Sequence, residues 1–249
     1  MKFVDRSKEI AALEREYHRE EASLVIIYGR RRVGKTELIR HFIQDKNALY
    51  FLATEESEAM NRHAFQQQIA DFLESDLLRE AVIDRWEIIF QQLVLAANEK
   101  RLVIVIDEFQ YIGKSNPAFL SVFQKIWDTL LSKANVMVIL CGSLVSMMMS
   151  QTLNYDSPIY GRRTAQIRLR PISFAHYHEF FAEQMPMGEL VKRYSLTGGV
   201  PKYIEMFKNS GDLTEAIRSS LLNPASYLFD EPNFLLQKEV TDVGSYFSI

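Results

Sequence analysis

The sequence predicts an α/β fold: a parallel, doubly wound sheet followed by a small helical lid. Three observations carry this. Four short, continuously apolar runs recur at 24–28, 48–53, 102–106 and 136–140, and such runs suit strands buried on both faces. Segments with apolar residues at helical spacing separate them, the alternation expected when strands run parallel. A glycine-bearing turn at 29–36 stands between the first run and the helical segment after it.

The elements follow in order. Asp5 is placed to cap a first helix running to about Tyr17, with Ile10, Leu13 and Tyr17 on one face. LVIIY is the first strand, 34–42 a helix and ALYFLA the second strand. Two helical patterns come next: Phe65, Ile69, Phe72 and Leu73, then Val82, Trp86, Ile89, Phe90 and Leu93. LVIVI is the third strand. Asn116 and Pro117 read as N-cap and first residue of a helix, which turns Phe119, Leu120, Phe123, Trp127 and Leu130 inward. VMVIL is the fourth strand, and the alternation over 163–171 gives a fifth, less buried one. Beyond Pro171 only short helices are expected, over 174–181, 189–196, 203–207 and 213–222. A boundary near Pro171 divides a sheet domain, 1–172, from a helical lid, 173–249.

Composition narrows the classes. Ten glycines in 249 residues exclude a collagen-like or linker-rich chain. A net charge of -3 argues against a uniformly basic nucleic-acid coat. The single cysteine, Cys141, allows neither an internal disulfide nor a zinc framework, so a reducing intracellular setting is the default. No run reaches the roughly 20 apolar residues of a membrane span, and the start of the chain lacks a signal core. The expectation is a soluble cytoplasmic protein.

The strongest motif is Gly29-Arg30-Arg31-Arg32-Val33-Gly34-Lys35-Thr36, a G-x-x-x-x-G-K-T phosphate loop between a strand and a helix. Glycines let such a loop wrap tightly, so that backbone N–H groups and the helix dipole face phosphate oxygens. The expected nucleotide-holding set here is Gly29, Arg32, Val33, Gly34, Lys35, Thr36 and Glu37, with Lys35 reaching the β- and γ-phosphates and Thr36 ligating magnesium. The third strand ends in Asp107-Glu108. Buried carboxylates are costly unless they serve a cation or a reaction. Asp107 is assigned to the magnesium shell and Glu108 to the attacking water, against the plainer reading of a solvated strand end. Ser143, after the fourth strand, lies where parallel strand ends converge and is placed to meet the γ-phosphate, or is an ordinary loop serine. Arg162 and Arg163 are candidates to offset charge in phosphoryl transfer, or are surface arginines before a strand. The Arg30 to Arg32 side chains are expected to turn away from the phosphates, toward solvent or a partner.

Six segments together resemble a known family. FVDRSKEIAAL, YGRRRVGKTEL, VIDEFQY, CGSLVSMM, YGRRTAQIRLRPISF and TGGVPKYIEMF occur in order over 3–207, and in that order they resemble the archaeal-type ATPases of the P-loop superfamily, near the AAA+ and STAND ATPases. FDEPNFLLQKEV, over 229–240, fits the same pattern. The resemblance implies strand order 5-1-4-3-2, an opening segment (Phe3, Val4, Arg6) over the adenine, and a Gly199-Val200-Pro201 turn closing on base and sugar. Read without the resemblance, 197–201 is a helix–helix turn. Asp5 departs from the family, which often has glycine there. Members usually continue into a winged-helix domain, and many into a nuclease-like one. The chain stops about where the winged helix would begin, so a fragment of a longer protein is expected, with DNA-directed roles mainly outside it.

The reading that follows is an ATPase using ATP and magnesium, built as a nucleotide-driven switch or motor module, with an arginine supplied in cis or by a protein partner or second copy. The alternative is a slowly exchanging ATP/ADP-binding module that hydrolyses only on a partner. No Asn-Lys-x-Asp guanine motif follows the fourth strand, which argues against GTP, and no aromatic stacking pattern marks a nucleic-acid surface.

Overall fold

A computed structural model describes residues 3–96, 100–181, 184–208 and 212–239. Val240 and the 246–249 end, on which the expected junction with a winged helix rested, lie outside the described residues. The chain forms two compact units, one of Lys8–Gly29 and Lys35–Leu169, the other of Met1–Ser7, Arg30–Gly34 and Arg170–Ile249.

The first is the sheet unit. Its strands are β1 (Ser23–Tyr28), β2 (Ala48–Leu52), β3 (Leu102–Asp107), β4 (Val136–Gly142) and β5 (Ala165–Arg168). All pair in parallel, in the order β2-β3-β4-β1-β5, which is the 5-1-4-3-2 order that the family resemblance implies. Every residue of β1, β3 and β4 is buried, whereas β2 is partly exposed and β5 alternates. Helices α1 (Ser7–Tyr17), α2 (Lys35–Ile43), α3 (Glu58–Phe72), α4 (Asp76–Glu80), α5 (Trp86–Ala96), α6 (Gln110–Ser115), α7 (Phe119–Thr129) and α8 (Val145–Met148) connect them. A cluster of rings from α3, α5 and α7 packs beside the strands, with Phe65 5.3 Å from Phe90, Phe90 6.0 Å from Phe123 and Trp86 4.8 Å from Phe119. Register sets one edge for chemistry: Tyr28 lies opposite both Gly142 and Arg168, and Leu52 opposite Asp107.

The second unit is helical among its described residues: α9 (Phe174–Tyr177), α10 (Met187–Thr197), α11 (Pro201–Phe207), α12 (Leu213–Ser220) and α13 (Glu231–Glu239). Its apolar centre joins Val4, Ile172, Tyr177, Phe180, Leu190 and Ile204. The 197–201 segment is a helix–helix turn in which Gly198 ends α10 in the left-handed region at φ 54 and Pro201 starts α11. Gly199, at φ 71, must be glycine, because a Cβ there would overlap the Ile172 carbonyl oxygen. Among the described residues no helix is long and apolar enough to cross a membrane.

Several boundaries differ from the sequence reading. Asp5 is not at the N-cap of α1, which starts at Ser7; it sits at φ 55 with its carboxylate accepting the N–H of Ser173, the residue before α9, at 2.9 Å. A left-handed backbone favours glycine and tolerates aspartate, so Asp5 suits the conformation it adopts. Asn116 does not open α7 but closes α6, its side chain accepting the Ala118 N–H at 3.1 Å in a turn, and the helix starts at Phe119. Helices α4, α6, α8 and α13 went unseen because each is short or lacks an apolar stripe; α8 also runs into a π-helical turn, Met149–Leu153.

Candidate active site

In the sheet unit the candidate residues gather at the C-terminal edge of the strands. Lys35 and Thr36 open α2 directly after the loop that leaves β1. The Lys35 ammonium, nearly buried, donates to the Gly29 carbonyl at 2.8 Å. The Thr36 hydroxyl donates to Asp107 Oδ2 at 2.9 Å, and the Tyr50 hydroxyl donates to the same oxygen at 2.6 Å. Asp107 Oδ1 accepts the Glu108 N–H at 2.9 Å, so the buried Asp107 carboxylate is satisfied on both oxygens. Burial, reinforced by Asp107, pushes the Tyr50 phenol far above its ordinary range.

Glu108 follows at φ 54, a left-handed backbone that a side-chain-bearing residue adopts at a cost. Its Oε2 accepts from the Ser143 hydroxyl at 2.7 Å, from the Ser143 N–H at 3.3 Å and from the Gln110 amide. Gln110 is fully buried, and it fits because residue 142 is glycine: a Cβ there would overlap its Oε1 and the Met148 side chain. Cys141 is fully buried, and burial pushes its thiol well above the ordinary value. That keeps it protonated, a small apolar filler rather than a nucleophile.

The donor chemistry suits magnesium. A hydroxyl and a carboxylate oxygen already lie 2.9 Å apart, both hard oxygen donors. Magnesium takes one or two carboxylates plus substrate phosphates and water rather than a full protein cage.

The loop body, Arg30–Gly34, groups with the second unit. Arg32 and Gly34 have φ 68 and 94. The nearly buried Arg6 donates through Nη2 to the Val33 and Arg170 carbonyls, both at 2.9 Å, so its guanidinium grips backbone. Val4 lies in the apolar centre, and Phe3 is half-buried. Pro201 stands 4.0 Å from where a Cβ on Gly34 would be. Glu37 is exposed in the first turn of α2. Arg32 pairs with Glu231 and lies over the Tyr227 ring.

Within the chain, Arg162 and Arg163 stand apart from the cluster of Lys35, Thr36, Asp107 and Glu108. They precede β5, and Ala165, its first residue, lies opposite Val25 near the start of β1, while the loop leaves the other end of β1. At roughly 3.3 Å per strand residue, the two arginines sit toward the far end of the sheet. Arg162 instead clasps Asp128 through two bonds of 2.8 and 2.7 Å, and Arg163 stacks on Tyr160. Sequence reasoning missed Tyr50 and Gln110. A lone phenol inside the apolar second run, and the glutamine two residues after the carboxylate pair, were the signals available.

A strand, a glycine-bearing loop with a left-handed backbone, and a helix opened by Lys-Thr on a strand-end Asp define the class of P-loop nucleotide-binding α/β domains. Within that class a family profile described as "ATPase domain predominantly from Archaea" matches residues 3–207, and the chain belongs to that family. An uncharacterised protein of Methanocaldococcus jannaschii is 32% identical over 244 residues, 98% of this chain and 52% of its own length. The chain thus spans about half of that relative. In structure it is similar to a Walker-type ATPase of Pyrococcus abyssi, with a TM-score of 0.69 and 22% identity over 87% of this chain and 71% of that one. It is also similar to the Aeropyrum pernix ORC1 protein solved in complex with DNA, with a TM-score of 0.59 and 13% identity over 86% and 61%. At such identities these two likenesses show the fold alone.

Proposed function

We propose that the chain binds ATP with magnesium and hydrolyses it to ADP and phosphate, its conformation following the nucleotide as a switch or motor module. The hydrogen bond from Thr36 to Asp107, with Glu108 next in sequence and tied to Ser143, is the observation that supports this most. In this reading Lys35 leaves the Gly29 carbonyl for the β- and γ-phosphates, and the loop N–H groups of Gly29 to Glu37 face phosphate oxygens. Thr36 and Asp107 hold magnesium, which when bound offsets the triphosphate charge. Glu108 orients the attacking water, and Ser143 reports whether a γ-phosphate is present. Phe3, Val4 and Arg6 together with Pro201 serve the base and sugar. Lys35→Ala is expected to weaken ATP binding at least 100-fold, measured by equilibrium titration, through loss of a charged partner for the phosphates. Glu108→Gln is expected to keep binding within a few-fold while single-turnover phosphate release falls about 100-fold or more. Normal release from that variant overturns the assignment of Glu108.

A specific observation favours a second reading, a slow module that fires only on a partner. Glu108 is held by Ser143 and Gln110, and Arg162 and Arg163 lie away from it. In this reading an arginine from another protein or from a second copy of this chain completes the site, with DNA as a further trigger for hydrolysis. Single-turnover hydrolysis across chain concentrations, with and without duplex DNA, separates the readings: a rate independent of both favours the self-sufficient ATPase.

A further inference from the structure

The segment FDEPNFLLQKEV matched a family pattern without a role for any of its residues. The structure supplies one. Glu231, its buried acid, pairs with Arg32 in the body of the phosphate loop. The Arg32 guanidinium also lies 4.7 Å from the centre of the Tyr227 ring. The Tyr203 hydroxyl, two residues after Pro201, donates to Glu231 Oε1 at 3.0 Å. Three side chains that are scattered in sequence, Tyr203, Tyr227 and Glu231, therefore gather about one loop residue, Arg32, and all four residues belong to the same compact unit.

What makes this grip consequential is the backbone it acts on. Arg32 sits at φ 68, a left-handed conformation in which a side chain is unfavourable and glycine is free. Successive turns of that kind are what aim N–H groups at an anion. The next residue is gripped as well, since Arg6 takes the Val33 carbonyl at 2.9 Å. A side chain in a strained position persists when its surroundings over-determine it. Here the surroundings are an ion pair, a ring face and a phenol.

We propose that Glu231, with Tyr227 and Tyr203, is a positioning residue of the phosphate loop: by clasping the Arg32 side chain it holds the loop backbone preformed for nucleotide phosphates. The inference rests on the reading of this loop as an ATP site. Because coupling is reciprocal, nucleotide on the loop in turn steadies the clasp. Residues about 200 positions downstream of the loop thereby belong to its binding energetics.

The test exploits glycine. In the 249-residue chain, affinity for a fluorescent ADP analogue and the KM and kcat for ATP are measured for wild type, Glu231→Gln, Arg32→Gly and the double variant, with melting temperatures taken without nucleotide. Glu231→Gln is expected to weaken affinity about tenfold and raise KM by the same factor, with kcat within twofold. In the Arg32→Gly background, where the backbone needs no clasp, the same change is expected to alter affinity less than twofold. An equal loss in both backgrounds, or no loss in either, overturns the proposal. Should Glu231→Gln fail to fold, Tyr227→Leu in the same two backgrounds decides, with about a threefold loss expected only where Arg32 is present. A wild-type chain that binds neither ATP nor ADP overturns the ATP reading and this inference together. A wild type that binds while Glu231→Gln is indifferent overturns this inference alone.

Discussion

The two units are held by different physics. The sheet unit rests on apolar burial: three strands are buried along their whole length, and rings from α3, α5 and α7 interlock beside them. The second unit has smaller apolar centres and relies on named polar ties, such as Arg6 on two carbonyls, Asp5 on the Ser173 N–H and Arg193 on the Phe207 carbonyl at 2.8 Å, along with glycines in left-handed turns. Burial is non-directional and tolerates repacking, whereas polar ties and left-handed turns are each specific to one geometry. The contrast assigns tolerance of repacking to the sheet and sensitivity to single polar or glycine changes to the helical unit.

Three experiments sharpen or break this contrast. The largest effect belongs to the sheet. Phe123, fully buried among Phe90, Phe109 and Phe119, is expected to cost about 3–5 kcal/mol when replaced by alanine. In denaturant titrations that cost should be the same in 0.1 and 1 M salt, on the order of conditions where exposed charges go from weakly to fully screened. A cost that halves in high salt would break the assignment to burial.

Next comes Gly199→Ala, which forces a side chain at φ 71 against the Ile172 carbonyl. About 2 kcal/mol or more is expected, and hydrogen exchange should localise it to the second unit while amides of β1, β3 and β4 keep their protection. Equal loosening of the sheet would show that the units are one cooperative body.

The smallest effect is a pH slope. Cys141 and Tyr50 both have folded-state values raised above their ordinary 9.0 and 10.0. Between the unfolded and folded values the folded chain keeps protons that the unfolded chain releases. Stability is therefore full below about pH 9 and falls as pH climbs above it. Denaturation midpoints at pH 8 and 10 should show the drop, and Cys141→Ala should make it shallower.

Sequence and structure agreed best where one force dominates. LVIIY, LVIVI and VMVIL could be read as central strands because double-sided burial leaves no polar residue to confuse the pattern, and strand order followed from the family resemblance. Legibility fell where backbone conformation decides. Nothing in residue type says that Asp5, Arg32 and Glu108 adopt φ values of 55, 68 and 54. Asp5 consequently looked like a helix cap, and the grip on Arg32 was invisible. At the site, Lys35, Thr36, Asp107, Glu108 and Ser143 were nameable from two local motifs and the convergence of parallel strand ends. Tyr50 and Gln110 were not, since their membership depends on cross-strand register and on a missing Cβ. Where Arg162 and Arg163 stand was not legible for a related reason: proximity to a strand says nothing of which end of the sheet is meant until the pairing register is known.

Gly142 carries an evolutionary consequence. Its bare α-carbon is the space into which the Gln110 amide and the Met148 thioether pack, so positions 110, 142 and 148 share one space. An alanine at 142 would require the Gln110 amide and the Met148 side chain to shift, which disturbs one of the donors on Glu108. Among homologues these three positions should therefore change together or stay fixed together, a signature of shared space that can be sought in sequence variation.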